Sequence, residues 1–249
     1  MSRFEGKVVV ITGAASGIGK ATAEIVAGEG GTVACVDINA DGLGATVSAL
    51  TEAGGAATAH ACDLGDPASI EACVSGIVAA HGRIDALCNV AGILRADHTH
   101  ELALEDWNTI LTVNLTGTFL ITKACLPHLL EAKGNVVNTS STAAMGGHPW
   151  MAAYAASKGG IASFTKVLAC EYVKQGLNAN MVVPGGIVTP MHGQFRMPKD
   201  CDPNLIRRIM PHVPYVGPEH VGRAIAFLAS SDAGYMNGSE IRLDGGMMS

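Results

Sequence analysis

The sequence predicts one α/β domain over residues 1–249: a Rossmann-like, doubly wound parallel sheet of seven strands with helices on both faces. Three observations predict it. Short β-branched runs alternate with longer stretches of helical spacing from end to end. The first run, Lys7–Thr12 (KVVVIT), has no polar alternation, as a strand covered on both faces requires. No linker, repeat or low-complexity segment divides the 249 residues, a length single α/β domains commonly reach.

The elements follow in order. After Lys7–Thr12, helical spacing runs from Gly17 to Gly28 through Ile18, Ala21, Ile25 and Val26. Thr32–Val36 (TVACV) is the next strand and stops at Asp37, completing a βαβ unit. Ala57–Cys62 is a weaker strand. Pro67–His81 is a helix with proline in its first turn, where the missing N–H is not needed. Ile84–Val90 is a strand closed by Ala91-Gly92, and Trp107–Leu130 a long helix interrupted late by Pro127. Asn135–Ser140 is a strand, and Ala153–Gln175 a helix that Gly176 ends. Asn180–Val183 leads into Pro184-Gly185, Pro218–Ser230 is a helix, and Glu240–Leu243 is the last strand. Right-handed crossovers join such strands. Residues 189–214 form the one long irregular stretch, with five prolines and Met191, Phe195, Met197 and Met210. Loops of that length in compact domains are usually functional, so a substrate lid is expected there.

Composition narrows the function. With 48% hydrophobic residues the chain is not disordered, and a formal charge of −6 argues against nucleic acid or an anionic membrane as its main partner. Seven scattered cysteines without a Cys-x-x-Cys pair read as reduced, mostly buried thiols of a cytoplasmic protein. The start, MSRFEGKVVVITG, has no apolar signal core. No run of ~18 uncharged apolar residues is present, so no membrane span is expected. His98 and His100 lack a second ligand pair at metal spacing, and no metal site is expected.

Glycine is 31 of 249 residues, and its placement carries chemistry. Gly13, Ser16, Gly17, Ile18 and Gly19 lie between the first strand and the first helix. Small residues there let a pyrophosphate reach the free N–H groups of the helix N-terminus. The loop is not a Walker motif, because no Lys-Ser/Thr follows its last glycine. A glycine turn used only for packing would look the same, and Asp37 decides between them. It stands 20 residues after Gly17 at the end of the second strand, where an acid accepts hydrogen bonds from a ribose diol. That carboxylate would repel a 2′-phosphate ~5 Å away by ~3 kcal/mol at an effective dielectric of ~20. No Arg or Lys occupies residues 36–40 to offset this, so NAD is expected over NADP.

Tyr154 and Lys158 are four apart near a helix start and share a face. A phenol with a pKa of ~10 is a poor base at neutral pH. An ammonium ~4 Å away would lower it by ~2–3 units, making the pair a tuned acid/base. Alone, such a pair means little. Ser141, however, lies 13 residues before Tyr154 at the C-terminal end of a strand, where ligands bind in these sheets. Asn89-Val-Ala-Gly92 also ends a strand, Asn114 stands inside the long helix, and Pro184-Gly-Gly-Ile-Val-Thr-Pro190 follows the sixth strand. A polar Asn in mid-helix invites a hydrogen-bonding task.

These motifs together resemble the short-chain dehydrogenase/reductase family, from Lys7 to Leu243-Asp-Gly-Gly246. One departure is Val90, where the family has a second Asn. The resemblance implies roles. Ser141 would polarise the substrate oxygen and Tyr154 exchange its proton. Lys158 would lower the tyrosine pKa and hold the nicotinamide ribose, and Asn114 would anchor a water linking Lys158 to solvent. Asp37 would accept from the ribose diol, with Ile38 in the cofactor site beside it, Asp63 and Leu64 would flank the adenine, and Asn89, Ala91 and Gly92 would line the adenosine ribose and the chain beyond it. Ile187 would grip the carboxamide, with Thr189 nearby. The expected function is NAD-dependent interconversion of a hydrophobic secondary alcohol and its ketone.

Leu94, Met145, His148, Trp150, Met191, His192 and Phe195 are expected to face the substrate beside Ser141. Most are apolar, and methionines adapt to irregular shapes. The alternative within the family is a 3-oxoacyl-acyl-carrier-protein reductase. Those enzymes usually prefer NADPH and dock their carrier with arginines, at places where this chain has Pro127 and Cys170. A non-catalytic nucleotide-binding regulator would typically lack the Tyr or the Lys, and both are here. The resemblance also implies a homotetramer paired through the helices Trp107–Leu130 and Ala153–Gln175, with Met247-Met248 as a possible further contact.

Overall fold

Val8–Thr12 (β1) is buried at every position and lies in the interior of the sheet. The computed structural model describes residues 2–194 and 196–249. The strands β1, Thr32–Asp37 (β2), Ala56–Ala61 (β3), Ala86–Asn89 (β4), Asn135–Thr139 (β5), Asn178–Pro184 (β6) and Glu240–Leu243 (β7) pair in parallel in the order β3-β2-β1-β4-β5-β6-β7. The absence of polar alternation in β1 has a direct cause. Val9 and Ile11 enter one core, while Val10 enters the other. The first core lies under the helices Gly17–Gly28 (α1) and Ala40–Glu52 (α2), the second under Pro67–His81 (α3).

The helix α2 is absent from the sequence expectation. Leu43, Thr46 and Leu50 bury one face of it, and the Asn39 side chain accepts from the Gly42 N–H at 3.0 Å as its N-cap. Its glycines and threonines dilute the apolar period. The long helix is also more than expected. It runs as Leu104–Leu111 (α4), a π turn at Thr112–Thr116, and Gly117–Ala132 (α5). By length and composition Leu104–Ala132 could cross a membrane, contrary to the sequence expectation that no segment could. Here it lies along the sheet, with Ile121, Cys125 and Leu129 wholly enclosed in the second core.

Ala152–Tyr172 (α6) follows β5 and covers the same core, and a short 3₁₀ turn ends at Gly176, whose φ of +88° favours glycine. The irregular stretch after β6 contains two five-residue helices, Pro190–Gln194 (α7) and Pro203–Arg207 (α8). Glu219–Ala229 (α9) packs beside α1 over the first core. All seven thiols are unpaired; five are buried, Cys201 is partly so, and Cys170 is exposed.

The order of the sheet places the switch point between β1 and β4, the crevice where such folds bind ligands. One hydroxyl joins the two strand ends: Thr12 Oγ1 accepts from the N–H of Val90 at 2.9 Å and of Ala91 at 3.1 Å.

Candidate active site

The loop from β1 to α1 is built by close backbone approach. A Cβ on Gly19 would stand 2.1 Å from the Gly13 carbonyl oxygen, so no side chain fits there. Gly13 and Gly17 have φ of +71° and +53°. A Cβ on Gly13 would reach Ala91 Cα at 3.0 Å, and one on Gly17 would reach Thr189 Cγ2 at 3.3 Å. The Ser16 side chain makes no capping bond, so the first N–H groups of α1 are left for an anion. Asp37 accepts from the Ala15 N–H at 3.0 Å through one carboxylate oxygen and from Asn39 at 2.9 Å through the other. It ties the glycine loop to the end of β2 and keeps lone pairs for further donors. A cradle that a Cβ would fill, an uncapped helix start and an acid at the neighbouring strand end suit a nicotinamide dinucleotide.

Other residues of the expected cofactor site are arranged less uniformly. Ile38 is 67% exposed beside Asp37. Asp63 is exposed, and its carboxylate accepts from the Gly65 N–H at 2.7 Å. Leu64 turns its side chain into the second core, because Gly117 lets α5 come close enough to cover it. Asn89 is likewise turned inward, donating to Thr122 Oγ1 at 3.0 Å and Asn138 Oδ1 at 2.8 Å. Both side chains point into the core, so for each it is the main chain that could flank a ligand. Ile187 is buried and bridges to Val216, holding the segment that carries Thr189 over Gly17.

The chemical groups gather where β5 ends. Lys158 is enclosed, and its Nζ donates to the Thr139 carbonyl at 2.8 Å. Ser140 donates to the Lys158 carbonyl at 3.0 Å, which locks the start of α6 to β5. The Ser141 hydroxyl accepts from the Ala143 N–H at 3.1 Å and acts on the Tyr154 phenol, favouring its ionised form. The π turn explains Asn114. Its amide donates to the Ile93 carbonyl at 2.9 Å and to Ser157 Oγ at 3.1 Å, and its Oδ1 accepts from the Ile93 N–H at 2.8 Å. The Asn114 main-chain carbonyl accepts from Thr118 Oγ1 at 2.7 Å. π turns inside α-helices frequently mark functional sites, and this one clamps the loop after β4 to α6.

Electrostatics departs from the sequence expectation. Burial raises the Tyr154 phenol, and the Ser141 hydrogen bond opposes that rise. Lys158 does not lower it here. Its Nζ lies 5.7 Å from the Tyr154 ring centroid, and burial drops the lysine itself to about 8. Desolvation disfavours the charged form of each group and outweighs their mutual attraction in this state.

A cavity of about 280 Å³ opens between these residues and the stretch after β6. Ser141, Tyr154 and Lys158 form one end, and Leu94, His148, Met191 and His192 contribute to its walls as expected. Trp150 does not line it. Its backbone has φ of +65°, and its ring meets His98 edge-on at 6.4 Å. Met145 is also outside, 42% exposed. Phe195 lies outside the described residues. Sequence reasoning missed Met151, Ile206, Ile209, Tyr215 and Met247 as wall residues. Met247 reaches the wall although the sequence pointed to it only as an interface. Tyr215 had a signal, because Gly186 follows Pro184-Gly185: a Cβ there would stand 2.0 Å from the Tyr215 ring.

Comparison with known proteins agrees with this geometry. The family model described as Enoyl-(Acyl carrier protein) reductase matches residues 13–248. D-threitol dehydrogenase of Mycolicibacterium smegmatis is 39% identical over 246 residues, covering 98% of this chain and 94% of the relative. A 3-oxoacyl-acyl-carrier-protein reductase of Thermotoga maritima is 38% identical over 99% of both chains. Among solved structures, a short-chain dehydrogenase from Mycobacterium paratuberculosis bound to NAD superposes with a TM-score of 0.91 at 30% identity, over 98% of both chains. With its switch-point crevice, glycine cradle and Ser-Tyr-Lys cluster, the chain belongs to the short-chain dehydrogenase/reductase family of oxidoreductases, which use a nicotinamide cofactor.

Proposed function

We propose that the protein is an NAD-dependent dehydrogenase that interconverts a secondary alcohol on a largely apolar frame with its ketone. The observation that carries this reading is the cluster of Ser141, Tyr154 and Lys158 in the wall of a mostly apolar cavity, with Asn114 packed behind it beside the α1 cradle. A nicotinamide dinucleotide held by the Gly13–Gly19 cradle and Asp37 would supply the hydride acceptor for the carbinol carbon. Tyr154 takes the hydroxyl proton as that carbon becomes a ketone. Ser141 orients the oxygen through the hydroxyl it already presents to Tyr154. Lys158 is a buried cation below about pH 8, and its charge favours the phenolate as the proton moves. Asn114 positions the site by fixing Ile93 and Ser157 on either side of Gly92, whose Cβ would stand 3.4 Å from Lys158 Nζ.

NAD is favoured over NADP by Asp37 and by the lack of a cation at residues 36–40. Leu94, Met191 and Met210 supply apolar wall. D-threitol, meso-2,3-butanediol and cyclohexanol are named for dehydrogenases 39%, 35% and 35% identical to this chain, which supports an alcohol substrate. Assembly as a homotetramer through α5 and α6 is supported by Phe119 and Val167, which are 44% and 53% exposed on those helices. A monomeric mass in light scattering would contradict it.

The test is cofactor reduction with NAD and NADP across bulky apolar secondary alcohols, small polyols and an acyl thioester. NAD-linked oxidation of an apolar alcohol is expected. The 38% identical 3-oxoacyl reductase favours a second reading, and NADPH-linked reduction of the thioester would replace the first with it.

A further inference from the structure

The stretch after β6 is tied to the body of the protein at its middle. His98, on the loop after β4, donates from Nε2 to Oδ1 of Asp200, between α7 and α8, at 2.9 Å. A carboxylate only accepts, so the shared proton sits on the imidazole. His98 is braced for this contact. Its carbonyl accepts from the N–H groups of Glu101 at 2.9 Å and Leu102 at 3.0 Å. Its ring stands edge-on to Trp150, and the Trp150 carbonyl accepts from the Asp97 N–H at 2.9 Å. Trp150 keeps its φ of +65°, which a bulky residue adopts only where its surroundings enforce it. Both linked segments also build the cavity: Leu94 precedes His98 on one, Met197 precedes Asp200 on the other, and both line the wall.

We propose that His98 and Asp200 are positioning residues whose ion pair latches the stretch after β6 over the cavity as a lid, and so sets how tightly the alcohol is held. This rests on the alcohol dehydrogenase reading and adds a closing contact to it. The charged groups around the pair favour its ionised form. The hydrogen bond to Asp200 raises the His98 pKa, and the charges of Asp200, Glu101 and Asp97 add to the rise. The hydrogen bond from His98 lowers the Asp200 pKa, and His100 contributes in the same direction. Asp97 is shared with Arg95 at 3.3 Å, and Glu101 with His100 at 3.8 Å. Below the raised value of His98 the latch joins an imidazolium to a carboxylate. Above it a neutral ring remains, and its bond is weaker. Neither residue lines the cavity, and lids act on binding and release rather than on the reacting atoms, so the latch belongs in KM.

The experiment measures KM and kcat of the intact enzyme for cyclohexanol with NAD at about pH 6 and about pH 9, on either side of an imidazole titration. Asp200→Asn keeps an acceptor and removes the charge. At the lower pH it should raise KM about threefold, within the range of an exposed ion pair, and leave kcat within about twofold. At the higher pH variant and wild type should converge. His98→Lys stays charged at both and should hold KM below the wild-type value at the higher pH. In the ligand-free enzyme, amide hydrogen exchange of residues 197–210 should quicken about threefold in Asp200→Asn at the lower pH. An unchanged KM in Asp200→Asn, a KM effect of equal size at both pH values, or unchanged exchange overturns the latch. Failure to oxidise cyclohexanol or any alcohol of the panel above overturns the dehydrogenase reading, while the exchange measurement still decides the latch.

Discussion

The two walls of the crevice are built on opposite principles. On the cofactor side, backbone meets backbone: a Cβ on Gly19 would stand 2.1 Å from the Gly13 carbonyl oxygen, and Gly13 abuts Ala91. On the substrate side, the wall consists largely of side chains, five of them methionines, drawn from the irregular stretch after β6 with its two short helices, from Met151 and from Met247. Close-packed backbone has no way to yield, whereas a thioether changes rotamer at little cost. One half of the site is therefore intolerant of any added atom, and the other can be resized without losing the fold.

Substitutions can break this contrast, and the largest effect belongs to the cofactor side. Gly19→Val should abolish NAD binding measured by calorimetry, because the displaced loop no longer presents its N–H groups. If Gly19→Val binds NAD normally, the cradle has been assigned to the wrong loop. Tyr154→Phe comes next. It should lower kcat by about a thousandfold, the usual worth of a positioned acid/base, while the NAD dissociation constant stays within about twofold. Near-normal turnover would remove Tyr154 from the chemistry. Asp37→Asn keeps an acceptor for the Ala15 or Asn39 N–H but removes the charge. It should shift the NAD-to-NADP preference by about a hundredfold toward NADP, the effect of a like charge ~5 Å away at a dielectric of ~20.

A smaller effect is written in the pH dependence of stability. Lys158 is held at about 8, below its ordinary 10.5, so the folded state binds its proton less well than the unfolded chain. The penalty is fully present below pH 8 and is relieved as pH rises toward 10.5. Relative to Lys158→Met, the ligand-free wild type should gain stability over that interval, on the order of 3 kcal/mol for a shift of this size. Parallel denaturation curves of the two proteins across the interval would contradict the buried charge. The raised Tyr154 acts with the opposite sign: its contribution is present below pH 10 and lost as pH rises through its folded value. The smallest effect is expected on the lid. Met210→Ala should raise KM by only about two- to threefold and leave kcat nearly unchanged, since the wall reshapes around the loss. A collapse of kcat would mean that this wall is as rigid as the glycine cradle.

The same contrast governs how much of the molecule could be read in advance. Glycines forced by close approach, an acid at a strand end and a Tyr-Lys pair at helical spacing are all local in the chain. They were legible because each stands where its own element begins or ends. The strands were legible because burial on both faces removes polar alternation, as Val9, Val10 and Ile11 illustrate. The helix Ala40–Glu52 was not, because its small and polar residues mask the period that Leu43 and Leu50 carry.

By itself, then, the sequence determined the family and the doubly wound sheet, and it pointed to the residues proposed for the chemical step. These depend on which side chains occur at fixed separations along one strand, turn or helix. Only the tertiary structure decided the rest. It turned Leu64 and Asn89 inward, because α5 approaches at Gly117 and offers Asn89 a hydroxyl at Thr122. It turned Trp150 against His98 instead of into the cavity wall and brought Met247 and Tyr215 to the cavity from distant parts of the chain. It also set the balance of desolvation over attraction that raises Tyr154 and lowers Lys158. Burial belongs to the assembled elements and to no one of them, so neither the cavity wall nor the charge state of its groups could be read along the chain.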